Sequence, residues 1–273
     1  MRSSPIANAI QIDSADDPRI DDFRNLTDAE LRRRRDNPIF VAEGLLVIRR
    51  LLASAYPVRS LLLTEAKGQR LGPDLDTLDA QVPIYLAPPD VLNAIAGFHV
   101  HRGALAAAAR TELPTPGELL AGARLVVILE GINDHENLGA LFRNAAAFGV
   151  DAVLLCPRCA DPLYRRSVRV SLGHVLHVPF ARVEPWPKGL QAVEAAGLRL
   201  VALTPGRAAI PLDQIAGDDA PTAILVGAEG DGLSLEAREA APLQVRIPIA
   251  PRVDSLNLAT AAAIALHRLA RGL

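Results

Sequence analysis

The feature that most constrains the fold is an abrupt change from apolar to polar residues within the segment 125–149. Residues 125–129 are all apolar, residues 130–137 are mostly polar, and small residues dominate the segment that follows. An unbroken apolar run of this length is typical of a strand buried on both faces of a parallel sheet. Asn133, Asp134 and Asn137 are residue types that form turns and cap helices. The segment therefore predicts a strand, a loop and a helix, the junction where α/β proteins place their chemistry.

Two further segments repeat this change from an apolar strand to a loop. Residues 223–226 lead into a loop with three glycines, and residues 245–257 lead into an alanine-rich helix. The alternation continues through the C-terminal half, which predicts an α/β domain whose mostly parallel sheet carries helices on both faces. The predicted strands are 124–130, 151–156, 175–180, 199–203, 222–226 and 245–248, and the predicted helices are 138–148, 162–169, 186–196, 234–240 and 255–271.

The N-terminal part of the chain alternates over a shorter length, which predicts a second, smaller α/β domain. Residues 1–25 are polar and rich in aspartate, so we expect a loosely docked arm. Residues 111–117 contain two prolines and a glycine and are typical of a linker. The predicted organisation is an arm at 1–25, a small domain at 26–110, a linker at 111–120 and a larger domain at 121–273. In the small domain we predict strands at 38–42, 58–64, 82–86 and 104–109, a helix at 43–54 and a helical turn at 88–94.

Composition limits the classes of function. No apolar run is long enough to span a bilayer, and the first residues lack the apolar segment of a secretory signal, so we expect a cytoplasmic protein. The formal net charge of −2 is not that of a generally basic nucleic-acid binder. Contact with RNA would therefore need local basic patches, and the run at 32–35 could equally be a solvated helix face paired with acidic neighbours. The candidate patches are residues 32–35, Arg49 with Arg50, and Arg165 with Arg166 and Arg169.

Cysteine and histidine residues offer only weak support for a metal centre. Cys156 and Cys159 form a Cys-x-x-Cys pair, but there is no second pair, and a structural zinc site needs about four ligands. We therefore expect Cys156 to end a strand as a small buried residue. His99 and His101 lie at alternate positions of an extended segment. They could bind metal or RNA, but two imidazoles without a third ligand are more typical of polar lining.

Three blocks of sequence, taken in order, resemble the SpoU (TrmH) family of AdoMet-dependent RNA ribose 2′-O-methyltransferases. They are the Asn-Leu-Gly block from Asn137 to Arg143, the Gly-Ala-Glu-Gly-x-Gly-Leu-Ser block from Gly227, and the Ile-Pro and Ser-Leu-Asn block from Ile247 to Asn257. The resemblance covers nearly the whole chain apart from the N-terminal arm. It implies a SPOUT domain with a trefoil knot, an L30e-like RNA-binding domain before it, AdoMet as the cofactor, a homodimer, and rRNA or tRNA as the substrate.

The resemblance also implies which residues contact AdoMet. Glycines in a tight loop let a ligand approach the backbone closely, although each of them could simply form a turn. Ile247 and Leu256 can supply apolar walls. The six expected cofactor contacts are Thr204, Pro205, Gly227, Gly230, Ile247 and Leu256.

The resemblance further implies five catalytic residues, namely Asn137, Arg143, Glu229, Ser255 and Asn257. A guanidinium is protonated at any ordinary pH, so Arg143 is a poor general base. We therefore expect Arg143 to position the ribose hydroxyl and to stabilise its developing negative charge, and not to remove its proton directly. A salt bridge from Arg143 to Glu130 or Glu136 is the structural alternative.

The other four expected catalytic residues also have structural alternatives. Asn137, Ser255 and Asn257 could cap helices. Glu229 could cap the helix that starts near Ser234 and complement its dipole. Capping and a functional role are compatible for the two asparagines.

Taken together, these observations predict an RNA 2′-O-ribose methyltransferase. The alternative is a non-catalytic RNA-binding or ribosome-assembly protein that retains the fold. A nicotinamide-dependent enzyme is disfavoured, because no Gly-x-Gly-x-x-Gly follows the first strand of the larger domain.

Overall fold

A computed structural model describes residues 8–24, 26, 38–97, 103–206, 208–215 and 220–270. The chain divides into two compact units. The first contains the residues up to 112 together with 163–176, and the second contains 113–162 and 177–273. The predicted arginine run at 32–35 and the pair His99 and His101 lie outside the described residues.

The helices and strands follow in chain order. The strands are β1 (Ile10–Gln11), β2 (Ile39–Glu43), β3 (Val58–Leu63), β4 (Ile84–Leu86), β5 (Ala104–Ala109), β6 (Leu125–Glu130), β7 (Ala152–Leu155), β8 (Phe180–Arg182), β9 (Arg199–Leu203), β10 (Ile210–Pro211), β11 (Thr222–Gly227) and β12 (Leu243–Arg246). The α-helices are α1 (Leu45–Leu52), α2 (Glu65–Leu71), α3 (Pro89–Ala96), α4 (Pro116–Leu120), α5 (His135–Ala147), α6 (Arg165–Val170), α7 (Gln191–Ala195), α8 (Leu235–Glu239) and α9 (Leu258–Leu269).

The first unit is built on a mixed sheet with the strand order β1-β4-β3-β5-β2. β5 runs antiparallel to β2 and β3, whereas β4 runs parallel to β1 and β3. The four strands predicted in this region are confirmed, and α2, which the prediction did not include, lies between β3 and β4. The alanine-rich strand β5 lies between β3 and β2 and is buried over most of its length.

The expectation of a loosely docked arm is wrong for residues 8–24. Ile10 and Gln11 pair with Tyr85 and Leu86 and add a parallel edge strand to the first sheet. Ile12, Ile20 and Phe23, which lie among the aspartates in sequence, are fully buried. Burial of these side chains stabilises the docked segment although most residues around them are polar.

Helix α6 belongs to the first unit, although the predicted boundaries place it in the larger domain. Nη1 of Arg165 lies 2.7 Å from Oε2 of Glu43, whose side chain is 2% exposed. Arg169 Nη1 lies 3.7 Å from the same oxygen. A buried carboxylate requires such partners, so part of this predicted RNA-binding patch has a structural role.

The second unit contains a fully parallel sheet with the strand order β10-β12-β9-β11-β6-β7-β8. The predicted parallel α/β architecture is thus confirmed. β6 and β11 are neighbours and are buried along their whole length, as their unbroken apolar sequences require. Helix α5 packs against α9, and Asn144 Nδ2 donates to the carbonyl of Ala259 at 2.9 Å.

Several predicted boundaries need correction. The strand expected at 175–180 begins only at Phe180, because residues 174–176 form a 3-10 helix and Pro179 has no N–H to donate to the ladder. The strand expected at 245–248 spans Leu243–Arg246 and stops before Pro248 for the same reason. The helix expected at 186–196 is confined to α7, and the predicted linker 111–120 contains the helix α4.

Among the described helices, none is long and apolar enough to cross a membrane.

Candidate active site

The loop after β11 is the tightest part of the site. A Cβ atom added to Gly227 would lie 2.3 Å from the carbonyl carbon of Gly232 and 2.4 Å from the nitrogen of Leu233. Glycine is therefore the only residue that fits at 227 without moving backbone. Gly230 and Gly232 have φ angles of +84° and +69°, which reverse the chain within a few residues. The Gly232 N–H closes the loop by donating to the Ala228 carbonyl at 3.0 Å.

A cavity of about 660 Å³ lies beyond the carboxyl ends of β9, β11 and β12 and beside the N-terminus of α9. Ligand sites of parallel α/β sheets form at this edge, because the loops that follow neighbouring strands meet there. All six residues predicted to contact the cofactor line the cavity. They are Thr204, Pro205, Gly227, Gly230, Ile247 and Leu256.

Asn257 joins three separate segments of the site. Its Oδ1 accepts a hydrogen bond from the Thr260 N–H at 3.1 Å and so caps α9. Its Nδ2 donates to Oδ1 of Asn137 at 3.0 Å and to Oε1 of Glu229 at 2.9 Å. The Leu258 N–H also approaches Oε1 of Glu229, at 3.4 Å. Three of the five predicted catalytic residues therefore form one hydrogen-bonded cluster beside the cavity.

The capping alternatives hold for only one of these residues. Asp134, and not Asn137, caps α5, because its Oδ1 accepts the Asn137 N–H at 2.7 Å. Glu229 contacts the start of α9 and not the helix α8, which is capped by the Ser234 side chain. Ser255 lines the cavity and is exposed, and it does not cap α9. The side chains of Asn137, Glu229 and Ser255 therefore have no role as N-caps, and all three residues line the cavities.

Arg143 is the predicted catalytic residue that the single chain does not bring into the cluster. It is exposed on α5 and lines neither the main cavity nor the smaller one described below. Its side chain forms no hydrogen bond or ion pair with any residue in the described ranges, so the alternative role, a salt bridge to Glu130 or Glu136, is absent there.

Glu130 is a polar residue of the site whose importance the sequence analysis missed. It ends β6 with 1% exposure, and its carboxylate accepts four hydrogen bonds. Ser234 contributes its N–H at 2.9 Å and its hydroxyl at 2.8 Å, the Trp186 indole donates at 2.8 Å, and Arg158 donates at 3.3 Å. Glu130 thereby fixes the far end of the glycine-rich loop. A lone carboxylate that ends an apolar strand was the available signal.

Glu130 also lines a second cavity of about 410 Å³. The two cavities are adjacent, because five residues line both of them, namely Ala228, Glu229, Asp231, Gly232 and Leu258. Asn137 lines the second cavity only. The geometry thus provides one larger cavity at the strand ends and a smaller one next to it, and Glu229 lines both.

The cysteine pair contacts Gly131, which lines the second cavity. Cys156 is buried directly after β7, as predicted, and its Sγ lies 3.8 Å from that of Cys159. The Cys159 thiol and the Gly131 N–H, at 3.2 Å, lower the pKa of Cys156 by hydrogen bonding to its sulfur. The same contact with Cys156, together with burial, raises the pKa of Cys159. In the described ranges, no group of three or more His, Cys, Asp or Glu side chains is arranged to hold a metal ion.

Comparison with known proteins matches both units of the chain to known families. The sequence model of the SpoU rRNA Methylase family matches residues 124–267, and that described as RNA 2′-O ribose methyltransferase substrate binding matches residues 41–114. An uncharacterized tRNA/rRNA methyltransferase of Mycobacterium tuberculosis is 47% identical over 262 residues, which cover 94% of this chain and 90% of the relative.

Solved structures of RNA methyltransferases resemble this chain over nearly its whole length. The AdoMet-bound rRNA methyltransferase from Sinorhizobium meliloti superposes with a TM-score of 0.81 at 26% identity, covering 96% of this chain and 97% of that chain. The SpoU methyltransferase AviRb from Streptomyces viridochromogenes, solved in complex with AdoMet, has a TM-score of 0.77 at 25% identity and covers 93% and 97% of the two chains. With the family model spanning more than half of its residues, this chain belongs to the SpoU rRNA methylase family.

Proposed function

We propose that this protein transfers a methyl group from AdoMet to the 2′-hydroxyl of a ribose in rRNA or tRNA. One observation carries the proposal. Asn137 and Glu229, which lie far apart in sequence, both accept hydrogen bonds from Asn257 beside a cavity lined by all the predicted cofactor contacts. Family membership and the RNA methyltransferases among the relatives support the same reaction.

The cavity suits AdoMet in size and in chemistry. Its volume of about 660 Å³ lies within the range of small-molecule sites, roughly 300–1,000 Å³. Gly230 is exposed with open space beside its Cα, so a ligand can reach the backbone of the loop. Ile247 and Leu256 offer apolar walls for the adenine. When bound, AdoMet supplies a methyl carbon that its sulfonium has already activated.

The protein's own residues would then mainly align the two reactants. Asn257 holds the Glu229 carboxylate beside the cavity through the 2.9 Å hydrogen bond. A carboxylate in this position can accept a hydrogen bond from the substrate ribose and orient it. Ser255, exposed at the cavity edge, can donate to a ribose or phosphate oxygen of the RNA.

We assign Arg143 to the stabilisation of the developing alkoxide at the ribose 2′-oxygen. A guanidinium that stays protonated lowers the energy of negative charge without accepting a proton. Arg143 is exposed and lies outside its own cavity, so we propose that it completes the site of a second copy of the chain. We therefore propose that the protein forms a homodimer, as the family resemblance implies.

The remaining predicted features belong to the same proposal. The first unit, predicted as residues 26–110 with an arm at 1–25, would bind the RNA. The second unit, predicted as residues 121–273 after a linker at 111–120, would carry out methyl transfer. The trefoil knot, the L30e-like relationship and the cytoplasmic location stay predictions.

A methyl-transfer assay tests the proposal. The protein would be incubated with methyl-labelled AdoMet and separately with rRNA and tRNA, and the RNA digested to nucleosides. Label that elutes with 2′-O-methylnucleosides is the expected result. Binding of RNA without label transfer to either RNA would favour the alternative, a non-catalytic RNA-binding or ribosome-assembly protein.

A further inference from the structure

Arg238, on the last turn of α8, carries the only positive charge among the described residues that line the main cavity. Its Nε is buried and has no hydrogen-bond partner. Arg165 and Arg199 also have an unpartnered Nε, but each of those guanidinium groups donates from another nitrogen. The side chain of Arg238 forms no hydrogen bond or ion pair with any residue that the structure describes. This guanidinium therefore differs from the other partly buried arginines.

A partly buried cation without a partner is costly, and an anionic ligand would remove that cost. The described cavity lining also contains two carboxylates, those of Glu229 and Asp231. AdoMet carries one carboxylate and two cations, its ammonium and its sulfonium. The cavity lining thus offers one positive group for the AdoMet carboxylate and two negative groups for its ammonium and sulfonium.

We propose that Arg238 binds the carboxylate of the methionine part of AdoMet and thereby sets the specificity of the cavity for the complete cofactor. This inference rests on the proposed function, since it takes AdoMet as the occupant. A guanidinium presents several donors in a plane and suits a carboxylate better than a single ammonium does. No proton or bond is exchanged in this contact.

Calorimetric titration with two ligands tests the assignment without an activity assay. AdoMet would be compared with decarboxylated AdoMet, which keeps the adenosine, the sulfonium and the amine but lacks the carboxylate. The variants are Arg238→Met, which keeps the apolar stem of the side chain, and Arg238→Lys, which keeps the charge. Arg252→Met is the matched control, because Arg252 is exposed and does not line the cavity.

We expect Arg238→Met to weaken AdoMet binding roughly 10- to 100-fold, the effect of one charged hydrogen-bonded contact, with Arg238→Lys in between. The affinity for decarboxylated AdoMet should change less than about 2-fold, and Arg252→Met should match the wild type with both ligands. Thermal unfolding would verify that each variant is folded.

Three results would overturn the assignment. Equal weakening of both ligands would mean that Arg238 supports the cavity without contacting the carboxylate. Unchanged AdoMet affinity with weaker, less salt-dependent RNA binding would place Arg238 against an RNA phosphate. If the folded wild-type protein bound neither ligand, the cofactor part of the proposed function would fail as well, which distinguishes that failure from the first two.

Discussion

Nδ2 of Asn257 lies 2.9 Å from Oε1 of Glu229, and this contact ties the N-terminus of α9 to the glycine-rich loop after β11. The two residues belong to different sequence blocks, and one hydrogen bond makes the cap of a helix part of the cavity wall. Because Asn257 also bonds to Asn137 at 3.0 Å, it sets the position of the first turn of α5 relative to the loop after β11.

The two roles of Asn257 can be separated by substitution. Asn257→Asp keeps an acceptor for the Thr260 N–H but replaces the amide donor with a second carboxylate oxygen facing Glu229. We expect methyl transfer to fall roughly 10- to 100-fold through misalignment, while stability stays close to that of the wild type. Asn257→Ala should lose activity and also about 1 kcal/mol of stability with the cap. Activity and thermal unfolding would be measured together, and full activity of the Asp variant would show that the amide donor is dispensable.

Alanine substitutions at Gly227 and Gly230, two glycines of the loop after β11, should differ in their effect on stability. Gly227→Ala places its Cβ 2.3 Å from backbone that cannot rotate away, so we expect a loss of about 3 kcal/mol or more and loss of AdoMet binding. Gly230→Ala meets open space and bears only the strain of its positive φ, about 1–2 kcal/mol. Urea denaturation would give both values. Equal stabilities of the two variants would contradict the packing of the loop described above.

Replacement of Glu130 by a neutral residue should destabilise the protein, because the carboxylate of Glu130 is the acceptor in all four of its hydrogen bonds. Glu130→Gln turns an NH₂ group towards at least one of these donors, and we expect a loss of about 1–3 kcal/mol. Arg158→Met is the control, since the Arg158 side chain is 69% exposed and its ion pair is worth less than about 1 kcal/mol. Denaturant unfolding checks both, and a Gln variant as stable as the wild type would refute the proposed role of the carboxylate.

Complementation between two inactive variants tests whether Arg143 acts on a second copy. Arg143 is exposed, so Arg143→Met should change stability by less than about 0.5 kcal/mol and leave AdoMet affinity unaltered. Transfer should fall roughly 100-fold or more, with part of it retained in Arg143→Lys.

Mixing Arg143→Met with Asn257→Asp subunits, after dissociation and reassembly, should create dimers with one intact site. Random pairing predicts about a quarter of the wild-type activity. If each Arg143 serves its own chain, the mixture stays inactive.

The two cysteines should titrate far apart. Hydrogen bonding from Cys159 and the Gly131 N–H lowers the pKa of Cys156, so thiolate absorbance should rise below the ordinary thiol value of about 8.5. Cys159→Ala should shift this rise to higher pH, and Cys156→Ala should abolish it. A wild-type rise only above the ordinary value would contradict the hydrogen bonds to the Cys156 sulfur.

The same pair predicts how stability depends on pH. Between the lowered pKa of Cys156 and the ordinary thiol value, the folded chain binds fewer protons than the unfolded chain, so the free energy of unfolding rises with pH. Above the ordinary value, the raised pKa of Cys159 reverses the slope. Denaturant unfolding of the wild type and of the double Ala variant across this range would isolate the contribution of the thiols.

Local patterns predicted the fold well where they were strong and failed where the chain is irregular. The apolar runs at β6 and β11 identified buried strands because only parallel interior strands need apolar residues on both faces. The boundaries near Pro179 and Pro248 were misplaced, because apolar residues beside a proline look like strand although the proline cannot join the ladder. The docking of Ile10 and Gln11 on β4 was missed, since two residues carry no periodicity.

The sequence by itself determined the alternation of strands and helices, the motifs that resemble the SpoU family, and the residue types that a methyl-transfer site requires. Only the tertiary structure decided which of those residues meet. Asn137, Glu229 and Asn257 converge because β6 and β11 are neighbours in the sheet and α9 packs against α5, and no local pattern encodes such long-range pairing. The environment of a charged group is likewise set by packing and not by its neighbours in sequence. For this reason only the tertiary structure shows that Glu130 is buried, that the Nε of Arg238 has no partner and that Arg143 is exposed.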